Sequence, residues 1–562
     1  MNRIQEYKLQ DNCAEKIPEM ACQQAPDAAH NVSEQESLEQ KCTAQTHCSA
    51  YSKKQKLYHF CLAVLLPLLI LYVFRAKIVC TDGETDPDAF YHAKLAEQGP
   101  SVFLAKTFPA LTMSVWQDNF SDKELGFHFI LWGLHRIRTA FGWHTNAPFH
   151  YYAIFFQSCL LAAIAFTLLY WSVPCPVYYN LLFIGLYYVF SLRLLYVRAY
   201  VLAMTLLVLM ILLLSMPRLK GSRLRLVLVF ALGFLYAWCY SNPHFVLIPT
   251  TAFALAEFLQ DNKLRRLPAL PLLALLGAVL GLTLHPQFPN TWLILKVQGW
   301  DVLKMAFGVG AEANIRGGSE FYVKPLDHLN RAPFLVGLPL LLAAVIWRTR
   351  NYWFRRDWKE RIKFNALLIL FICSNAAFLN FFRFVEFSMP CTILFTALLF
   401  RDSLRASRQP GGRRIFAAQH LPGIYALCAF IFVVPALMGI KGNNHKPYDE
   451  LAAWVEQNAV PEGTIIANPR WGTFPMLYYS MPKMRYLGGL DPMFSYAYDP
   501  QKTMVLEKFR SAETIITAQK LKELTGADYL HVAIENHFLA SEVLRHKYRS
   551  VYQGRDGWLF AL

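Results

Sequence analysis

Residues 58–75 read YHFCLAVLLPLLILYVFR, and shortly afterwards residues 81–94 read TDGETDPDAFYHAK. The first stretch is long enough and apolar enough to cross the hydrocarbon core of a bilayer as a helix. The second stretch holds four acidic residues within seven positions. This order, an apolar span followed directly by an acidic segment, places a group of candidate functional carboxylates close to a membrane surface.

The composition of the whole chain agrees with a membrane protein. Of its 562 residues, 55% are hydrophobic and only 17% are charged, whereas soluble globular domains carry about 25% charged residues. An ordinary soluble enzyme is therefore excluded. The formal net charge of +16 could suggest a nucleic-acid-binding protein, but in membrane proteins Lys and Arg accumulate in cytoplasmic loops.

Apolar runs of helical length recur along the chain. They predict a multi-pass α-helical membrane protein with about eleven transmembrane helices. The runs are residues 58–75, 149–171, 176–195, 198–216, 224–241, 244–260, 268–285, 333–347, 364–382, 385–400 and 420–440.

The placement of the basic residues predicts the orientation. When the eleven runs are threaded alternately from a cytoplasmic N-terminus, the basic clusters fall on the cytoplasmic side. The short loops on the opposite side hold little beyond Arg193, Arg198 and Arg383, so the positive charge reflects topology and predicts no nucleic-acid partner. The clusters are Arg218, Lys220, Arg223 and Arg225; Lys263, Arg265 and Arg266; Arg348 to Lys363; and Arg401 to Arg414.

This orientation divides the chain into three parts. Residues 1–57 are polar without apolar periodicity, and they predict a disordered cytoplasmic tail. Residues 58–440 form the membrane domain, with a long first outer loop at 76–148 and a second outer loop at 286–332. Residues 441–562 alternate helical and strand patterns, which predicts an extracytoplasmic α/β domain.

The first outer loop contains a helix start. Asp86 is suited to the N-cap position, Pro87 to the first helical position, and Asp88 to the first turn, where the helix dipole favours a negative charge. A helix cap explains the presence of Asp86. It gives no reason for Tyr91 and His92, which lie on the same helical face as Asp88. We therefore expect a functional role for Asp88.

A second acidic set lies further along the same loop. Asp122 and Glu124 precede a helical stretch that places His128 and His135 on one face. A divalent cation held by Asp88, Asp122 and Glu124 is one interpretation, because Mg²⁺ and Mn²⁺ favour oxygen ligands. A solvated loop is the other. The sequence suggests no other cofactor.

The stretch from Asp88 to Ala93, in the first outer loop of a many-helix chain with an outer C-terminal domain, resembles the GT-C superfamily of membrane glycosyltransferases. It is similar to the Asp-Gly-Tyr-Tyr-type stretch of oligosaccharyltransferase catalytic subunits. The resemblance implies an essential first-loop acid at Asp88, with Asp86 and Glu124 as neighbouring candidates. It also implies a polyprenyl-phosphate or diphosphate sugar donor. The loop at 192–198 contains no acid, which favours relatives that use polyprenyl-monophosphate sugars without an obligatory metal.

A phosphate leaving group calls for cationic side chains. Arg383 lies at the predicted outer junction of two helices, where a guanidinium can pair with a phosphate in bidentate geometry. The alternatives are an ion pair with Glu386 or snorkelling to the interface. The resemblance favours phosphate binding, with Arg198 or Arg316 as additional phosphate ligands.

Two further positions follow from the resemblance. Glu320 is the nearest likeness to an outer-loop glutamate that reaches the catalytic centre of oligosaccharyltransferases. Trp471, in a Pro- and Gly-rich turn, could contact an acceptor, although a structural turn is the better explanation. Tyr91 and His92 are the corresponding candidates in the first loop.

The combined interpretation is an integral membrane glycosyltransferase of the bacterial inner membrane. It moves a sugar or glycan from a polyprenyl-linked donor to an extracytoplasmic glycan, lipid or protein acceptor. The alternatives are an oligosaccharyltransferase acting on protein, a transporter or lipid flippase, and a catalytically inactive assembly protein of the same fold. A transporter would place ionisable residues deep within helices and show an inverted repeat.

The charge asymmetry makes a topological prediction. Reporters fused after Arg225, Arg266, Lys363 or Arg414 should be cytoplasmic, and a reporter fused after Leu562 should lie outside, because Lys and Arg concentrate on the cytoplasmic side. Paired alkaline phosphatase and fluorescent-protein fusions measure this directly. A cytoplasmic C-terminus would overturn the orientation.

Overall fold

The computed structural model describes residues 52–79, 83–143, 148–261, 269–309, 333–354, 358–407, 420–439 and 445–562. Nearly all of the predicted tail therefore lies outside the described residues. Its last part differs from the prediction, because the first helix begins at Lys53 rather than near residue 58.

The described chain is mostly helical up to residue 438. Short 3₁₀ turns lie at Pro217–Leu219, Pro243–Val246 and Phe382–Phe384, and a π-helical turn lies at Lys296–Asp301. The α-helices are α1 Lys53–Ile78, α2 Asp88–Gln98, α3 Pro100–Phe103, α4 Leu125–Ala140, α5 Pro148–Tyr170, α6 Pro176–Gly185, α7 Tyr188–Leu194, α8 Ala199–Ser215, α9 Arg223–Cys239, α10 Leu247–Asp261, α11 Ala269–Thr283, α12 Asn290–Leu295, α13 Val302–Ala306, α14 Pro333–Phe354, α15 Trp358–Asn380, α16 Val385–Ser407 and α17 Leu421–Met438.

Among the described residues, five helices are long and apolar enough to cross a membrane, and a sixth span results if the bent pair α6 and α7 counts as one. The five are Lys53–Ile78, Phe149–Tyr170, Lys359–Asn380, Phe382–Ser407 and Leu421–Met438. Over its described residues, each of the eleven apolar runs largely coincides with a helix or with two consecutive helices. The chain is thus an integral membrane protein, whereas a total of eleven spans stays a prediction, since α8 and α11 are shorter apolar helices.

Helices α9 and α11 pack closely through small residues. A Cβ atom at Gly233 would lie 2.5 Å from the Ala274 carbonyl oxygen, and one at Gly277 would overlap the Phe230 carbonyl oxygen. Glycine at both positions lets the two backbones approach closely, which is a common way for helices to associate in membranes.

From residue 449 the chain alternates helices with short strands. The helices are α18 Asp449–Gln457, α19 Phe474–Ser480, α20 Pro492–Tyr498, α21 Pro500–Arg510, α22 Ala518–Thr525 and α23 His537–Arg545, with a 3₁₀ turn at Trp471–Thr473. The strands are β1 Ile465–Ala467, β2 Arg485–Tyr486, β3 Tyr529–Val532, β4 Arg549–Gly554 and β5 Gly557–Ala561.

These strands form one mixed sheet in the order β2-β1-β3-β5-β4. The β2, β1 and β3 strands run parallel, with Ile466 opposite Tyr529, and β5 runs antiparallel to β3, with Phe560 opposite Leu530. The boundary of a separate domain and its side of the membrane stay predictions.

The first loop is joined to this C-terminal part by backbone hydrogen bonds. Glu84 and His445 exchange two bonds of 2.8 Å, and the Thr112 N–H donates to the Tyr486 carbonyl at 2.7 Å. The Tyr486 N–H in turn donates to Ala110 at 2.7 Å, so that the first loop continues the sheet beyond β2. This connection holds the acidic segment between the helices and the sheet.

Candidate functional site

An arginine between α7 and α8 binds two aspartates of the first loop, Asp86 and Asp88. The Nε and Nη2 atoms of Arg198 donate to the two carboxylate oxygens of Asp86 at 2.5 and 2.7 Å, and its Nη1 atom pairs with Asp88. The Asp86 side chain is 2% exposed. A bidentate arginine–carboxylate pair is among the stronger charge-assisted interactions, and here it fixes the start of α2 against the helices.

The role expected for Asp86 needs correction. Its Oδ1 atom accepts the Asp88 N–H at a long 3.3 Å, but α2 begins at Asp88 and no side chain caps it in the usual N-cap position. The main partner of the Asp86 carboxylate is Arg198. Sequence reasoning favoured capping because the Asp-Pro-Asp pattern is local, whereas Arg198 lies 112 positions away.

A second buried arginine supports the same segment. Arg75, at the end of α1, is completely buried and pairs with Glu84. It also donates to the carbonyl of Leu195 and, at 3.1 Å, to His150. Burial raises the pKa of Glu84, an effect that the Arg75 charge opposes. Arg75 thereby links the acidic segment to the loop that carries Arg198.

The environment of Asp88 suits proton transfer. Burial raises the pKa of Asp88 to about 6; Arg198 opposes this rise, and the negative charges of Asp86 and Glu124 add to it. A carboxyl whose pKa lies near neutrality both accepts and releases protons readily, which is the property of an effective general base or acid.

The Asp86–Arg198 pair lines a cavity of about 370 Å³. Glu124, Arg193 and Arg383 line the same cavity, so the structure brings four predicted site residues together and adds Arg193. Asp88 does not line it directly but pairs with Arg198, which does. The remaining lining is largely aromatic and aliphatic: Thr85, Pro87, Val189, Leu192, Tyr196, Ala199, Tyr200, Tyr240 and Phe382.

Arg193 was not predicted as a site residue. Its guanidinium pairs with Glu386 and lies 4.8 Å from the centre of the Tyr200 ring, and the Tyr240 hydroxyl donates to Glu386 at 3.1 Å. Glu386, which the sequence offered as a partner for Arg383, is thus bound by Arg193. The signal that could have found Arg193 is its sequence position, five residues before Arg198 in an aromatic stretch near a predicted outer loop.

A sharp bend positions these arginines. Helices α6 and α7 meet at an angle of 100°, with the break between Gly185 and Tyr188. The chain therefore turns sharply between α6 and α7 instead of continuing as one straight helix. Arg193 lies near the end of α7 and Arg198 directly before α8, so both guanidinium groups reach the cavity.

Behind Glu124 lies a buried chain of side chains. His92 Nδ1 is 2.8 Å from His128 Nε2, and His128 Nδ1 is 2.7 Å from Asp122 Oδ2. The other end of His92, atom Nε2, lies 3.9 Å from Glu124 Oε2. Burial, followed by the neighbouring His128, lowers the pKa of His92 well below its ordinary value, so His92 is neutral. Of these four side chains, only Glu124 lines the cavity.

Tyr91 does not face the cavity. Its side chain is buried among aromatic rings, and burial raises its pKa well above the ordinary value. Tyr91 therefore packs the first loop against α19 and the segment that follows α2. Contact with an acceptor stays a prediction for this residue. The rings around it are Phe108, Trp116, His128, Phe474 and Tyr478.

The proposed metal ligands do not form a cation site. Both oxygens of Asp122 already accept, one from His128 and the other from the Glu124 N–H at 3.0 Å, and Asp88 pairs with Arg198. Within the described ranges no group of three or more His, Cys, Asp or Glu side chains is arranged to hold a metal ion. The residues present do not fit the group, and we derive no step through a metal.

The remaining candidates lie elsewhere. Trp471 lines a separate cavity of about 40 Å³ beside Asn468 and Met113, too small for a sugar. Arg316 and Glu320 lie outside the described residues.

Comparisons with solved structures place this fold. The oligosaccharyltransferase of Archaeoglobus fulgidus, solved in complex with zinc and sulfate, aligns over 88% of this chain and 73% of its own, at 14% identity and a TM-score of 0.53. ArnT of Cupriavidus metallidurans bound to undecaprenyl phosphate aligns over 89% and 97%, at 12% identity and 0.53. Its apo form gives 14% identity over the same shares and 0.50.

At these identities the likeness establishes a shared fold. The resemblance to GT-C membrane glycosyltransferases that the first loop suggested is confirmed at that level. No protein-family model matches the sequence, and no curated protein is significantly similar to it.

The corrected role of Asp86 can be tested by Asp86→Asn. If Asp86 only capped α2, Asn would replace it without loss. Because the carboxylate instead holds Arg198, we expect the free energy of unfolding to fall by about 1–3 kcal/mol. Thermal unfolding in detergent measures this, with Asp118→Asn, an exposed acid of the same loop, as the matched control. Equal stability of the two variants would restore the capping interpretation.

Proposed function

We propose that this chain, an integral membrane protein with the GT-C glycosyltransferase fold, transfers a sugar or glycan from a polyprenyl-phosphate or diphosphate donor to an extracytoplasmic acceptor. The observation that carries the proposal is the cavity in which Arg193, Arg198 and Arg383 meet the carboxylates of Asp86 and Glu124. Transfer of a sugar from a phosphate leaving group requires a carboxylate to accept a proton and cationic groups to stabilise the departing phosphate.

The three arginines have different parts in this proposal. Arg198 is bound by two carboxylates, so its part is to hold Asp88 in place. Arg383 and Arg193 line the same cavity, and we assign them to the donor phosphate. Guanidinium groups match phosphate oxygens in bidentate geometry.

The reaction then follows from the positions of the charges. Asp88 takes the proton of the acceptor's nucleophilic group, whose freed electron pair forms a bond to the anomeric carbon of the sugar. The bond from that carbon to the phosphate oxygen breaks, and its electron pair leaves with the phosphate. The arginines stabilise the charge that develops on the phosphate, and the cavity keeps the reactants aligned.

Two arguments favour a polyprenyl-monophosphate donor. One protein of this fold was solved with undecaprenyl phosphate, and the loop at 192–198 contains no acid. In this proposal the first loop and the C-terminal part close over the outer ends of the helices in a bacterial inner membrane. The alternative within this proposal is an oligosaccharyltransferase that acts on protein and uses a donor with a larger glycan.

Asp88→Asn tests the proposed base. Asn keeps the size but cannot accept the proton, so transfer should fall by about 10²-fold or more at unchanged protein level. In the wild type, transfer should also decline as the pH falls through about 6, because the pKa of Asp88 is raised to about 6 and only the ionised form accepts a proton. Initial rates in isolated cell envelopes, which supply donor and acceptor, measure both effects. Near-normal transfer by Asp88→Asn would show that the base is misassigned.

Arg383→Lys tests phosphate binding. Lysine keeps the charge but loses the bidentate fork, so transfer should fall several-fold, and Arg383→Ala should lower it further. Arg136→Lys, at an exposed position of α4, is the matched control in the same envelope assay. Full activity of Arg383→Ala would assign this residue to the membrane interface instead.

A further inference from the structure

The segment from α12 to α13 exposes one apolar face, called here the aromatic face. Exposed side chains recur along α12, the π-helical turn and α13 at intervals of three or four residues. Such intervals place side chains on one face of a helix. The aromatic face consists of Trp292, Lys296, Trp300, Leu303 and, just after α13, Phe307.

The opposite face of the segment packs against the protein. Its buried residues are Ile294, Val297, Gln298, Asp301, Val302 and Met305. The two ends are also fixed. The Asn290 side chain donates to the carbonyls of Lys106 and Phe120 at 3.0 Å, and the centre of the Phe307 ring lies 5.0 Å from that of Phe381. The segment therefore holds the aromatic face in a defined position beside the first loop.

The aromatic face continues an exposed apolar surface. Along the chain, the exposed leucines of the apolar helix α11 are followed by Leu284 and Phe288, which are exposed as well, and then by the aromatic face. In an integral membrane protein, the hydrocarbon of the bilayer can cover such a surface without the cost of exposing it to water. The leucines of α11 are Leu272, Leu275 and Leu276.

The segment is suited to the boundary of the bilayer rather than to its centre. It is not one of the helices in the described ranges that are long and apolar enough to cross a membrane, and it carries Lys296, Asp301 and Lys304. Tryptophan is enriched where hydrocarbon meets the lipid headgroups, and amphipathic helices lie along this boundary. Trp300, with 62% of its surface exposed, fits that position.

Lys296 adds charge complementarity to the aromatic face. Its side chain is 66% exposed. The Asp301 carboxylate lies 3.5 Å from the ammonium groups of both Lys296 and Lys304, so that one carboxylate serves two cations. A lysine at the edge of an apolar surface can extend its charge to the level of the lipid phosphates.

We propose that the aromatic face binds the bilayer at the boundary between hydrocarbon and headgroups, on the side of the first loop. Trp292, Trp300 and Leu303 contact the acyl chains, and Lys296 binds the phosphate of an acidic phospholipid. The proposal does not depend on the proposed transfer reaction. Because Asn290 is bonded to the first loop, the contact fixes the depth of that loop relative to the bilayer.

Photo-cross-linking of the full chain identifies what covers the aromatic face. Trp300→p-benzoylphenylalanine keeps a large aromatic group at the exposed position. The same exchange at Lys520, a comparably exposed residue of the charged helix α22, is the matched control. In vesicles of phosphatidylethanolamine and phosphatidylglycerol, irradiation should attach phospholipid to position 300 in about 10-fold or higher yield than to position 520, because only the former reaches acyl chains.

Mass spectrometry of the cross-linked peptides separates the outcomes. Equal lipid yields at positions 300 and 520 overturn the proposal, and so do adducts at position 300 to a second copy of the chain or to another segment of the same chain. If the variant at position 300 does not fold, Trp292→p-benzoylphenylalanine provides the same measurement on the same face.

The choice of headgroup tests the part assigned to Lys296. In vesicles with equal amounts of the two phospholipids, position 300 should react about 3-fold more with phosphatidylglycerol, because a lysine near the surface attracts acidic lipids. Added to the cross-linking variant, Lys296→Gln should bring this ratio close to one, whereas Lys520→Gln should leave it unchanged. A ratio that Lys296→Gln does not alter overturns the binding of a lipid phosphate by Lys296.

Discussion

The ion pairs between Arg198 and the two first-loop aspartates are the interaction on which the site depends. They join the start of α2 to the turn before α8, two parts of the chain that no continuous element connects. Carboxylates buried at the edge of a membrane domain are costly unless each has a matched cation, and removal of one partner leaves the other uncompensated. These ion pairs therefore hold Asp88 in position, and Arg198 opposes the rise of the Asp88 pKa that burial causes.

The same principle recurs around the cavity. Arg75 matches Glu84, and Arg193 matches Glu386, so that each buried charge has a partner from a different part of the chain. Because these pairs connect α1, the first loop, α7 and α16, the charges that would handle a phosphate also hold the helices in register. In the proposed reaction, the donor phosphate would meet guanidinium groups that are already oriented, which would lower the cost of reorganisation.

The sequence could predict what is encoded locally. Apolar runs gave the helices, and the acidic stretch after α1 gave Asp86 and Asp88, because length and composition determine whether a segment favours lipid or water. The pairing of Arg193 with Glu386 could not be predicted from the sequence, since the two residues lie 193 positions apart. For Asp86 the local sequence pattern was misleading. It fits a helix cap, whereas the partner of the Asp86 carboxylate, Arg198, is distant in the sequence.

The number of spans and the arrangement of His92 show the same limit. A helix such as α8 or α11 is apolar but short, so composition alone does not decide whether it crosses the membrane. His92 and His128 lie 36 positions apart on separate helices, and spacing along the chain could place each on a helix face but not bring the faces together. Long-range packing supplied that information.

The central claim is that the chain moves a sugar from a polyprenyl-linked donor to an acceptor outside the cytoplasm. Mass spectrometry of the lipids, glycans and glycoproteins of cells with and without the gene tests it most directly. The account predicts that one glycosylated product disappears without the gene while a polyprenyl-phosphate-linked sugar accumulates. Identical product and donor pools in the two strains would contradict it.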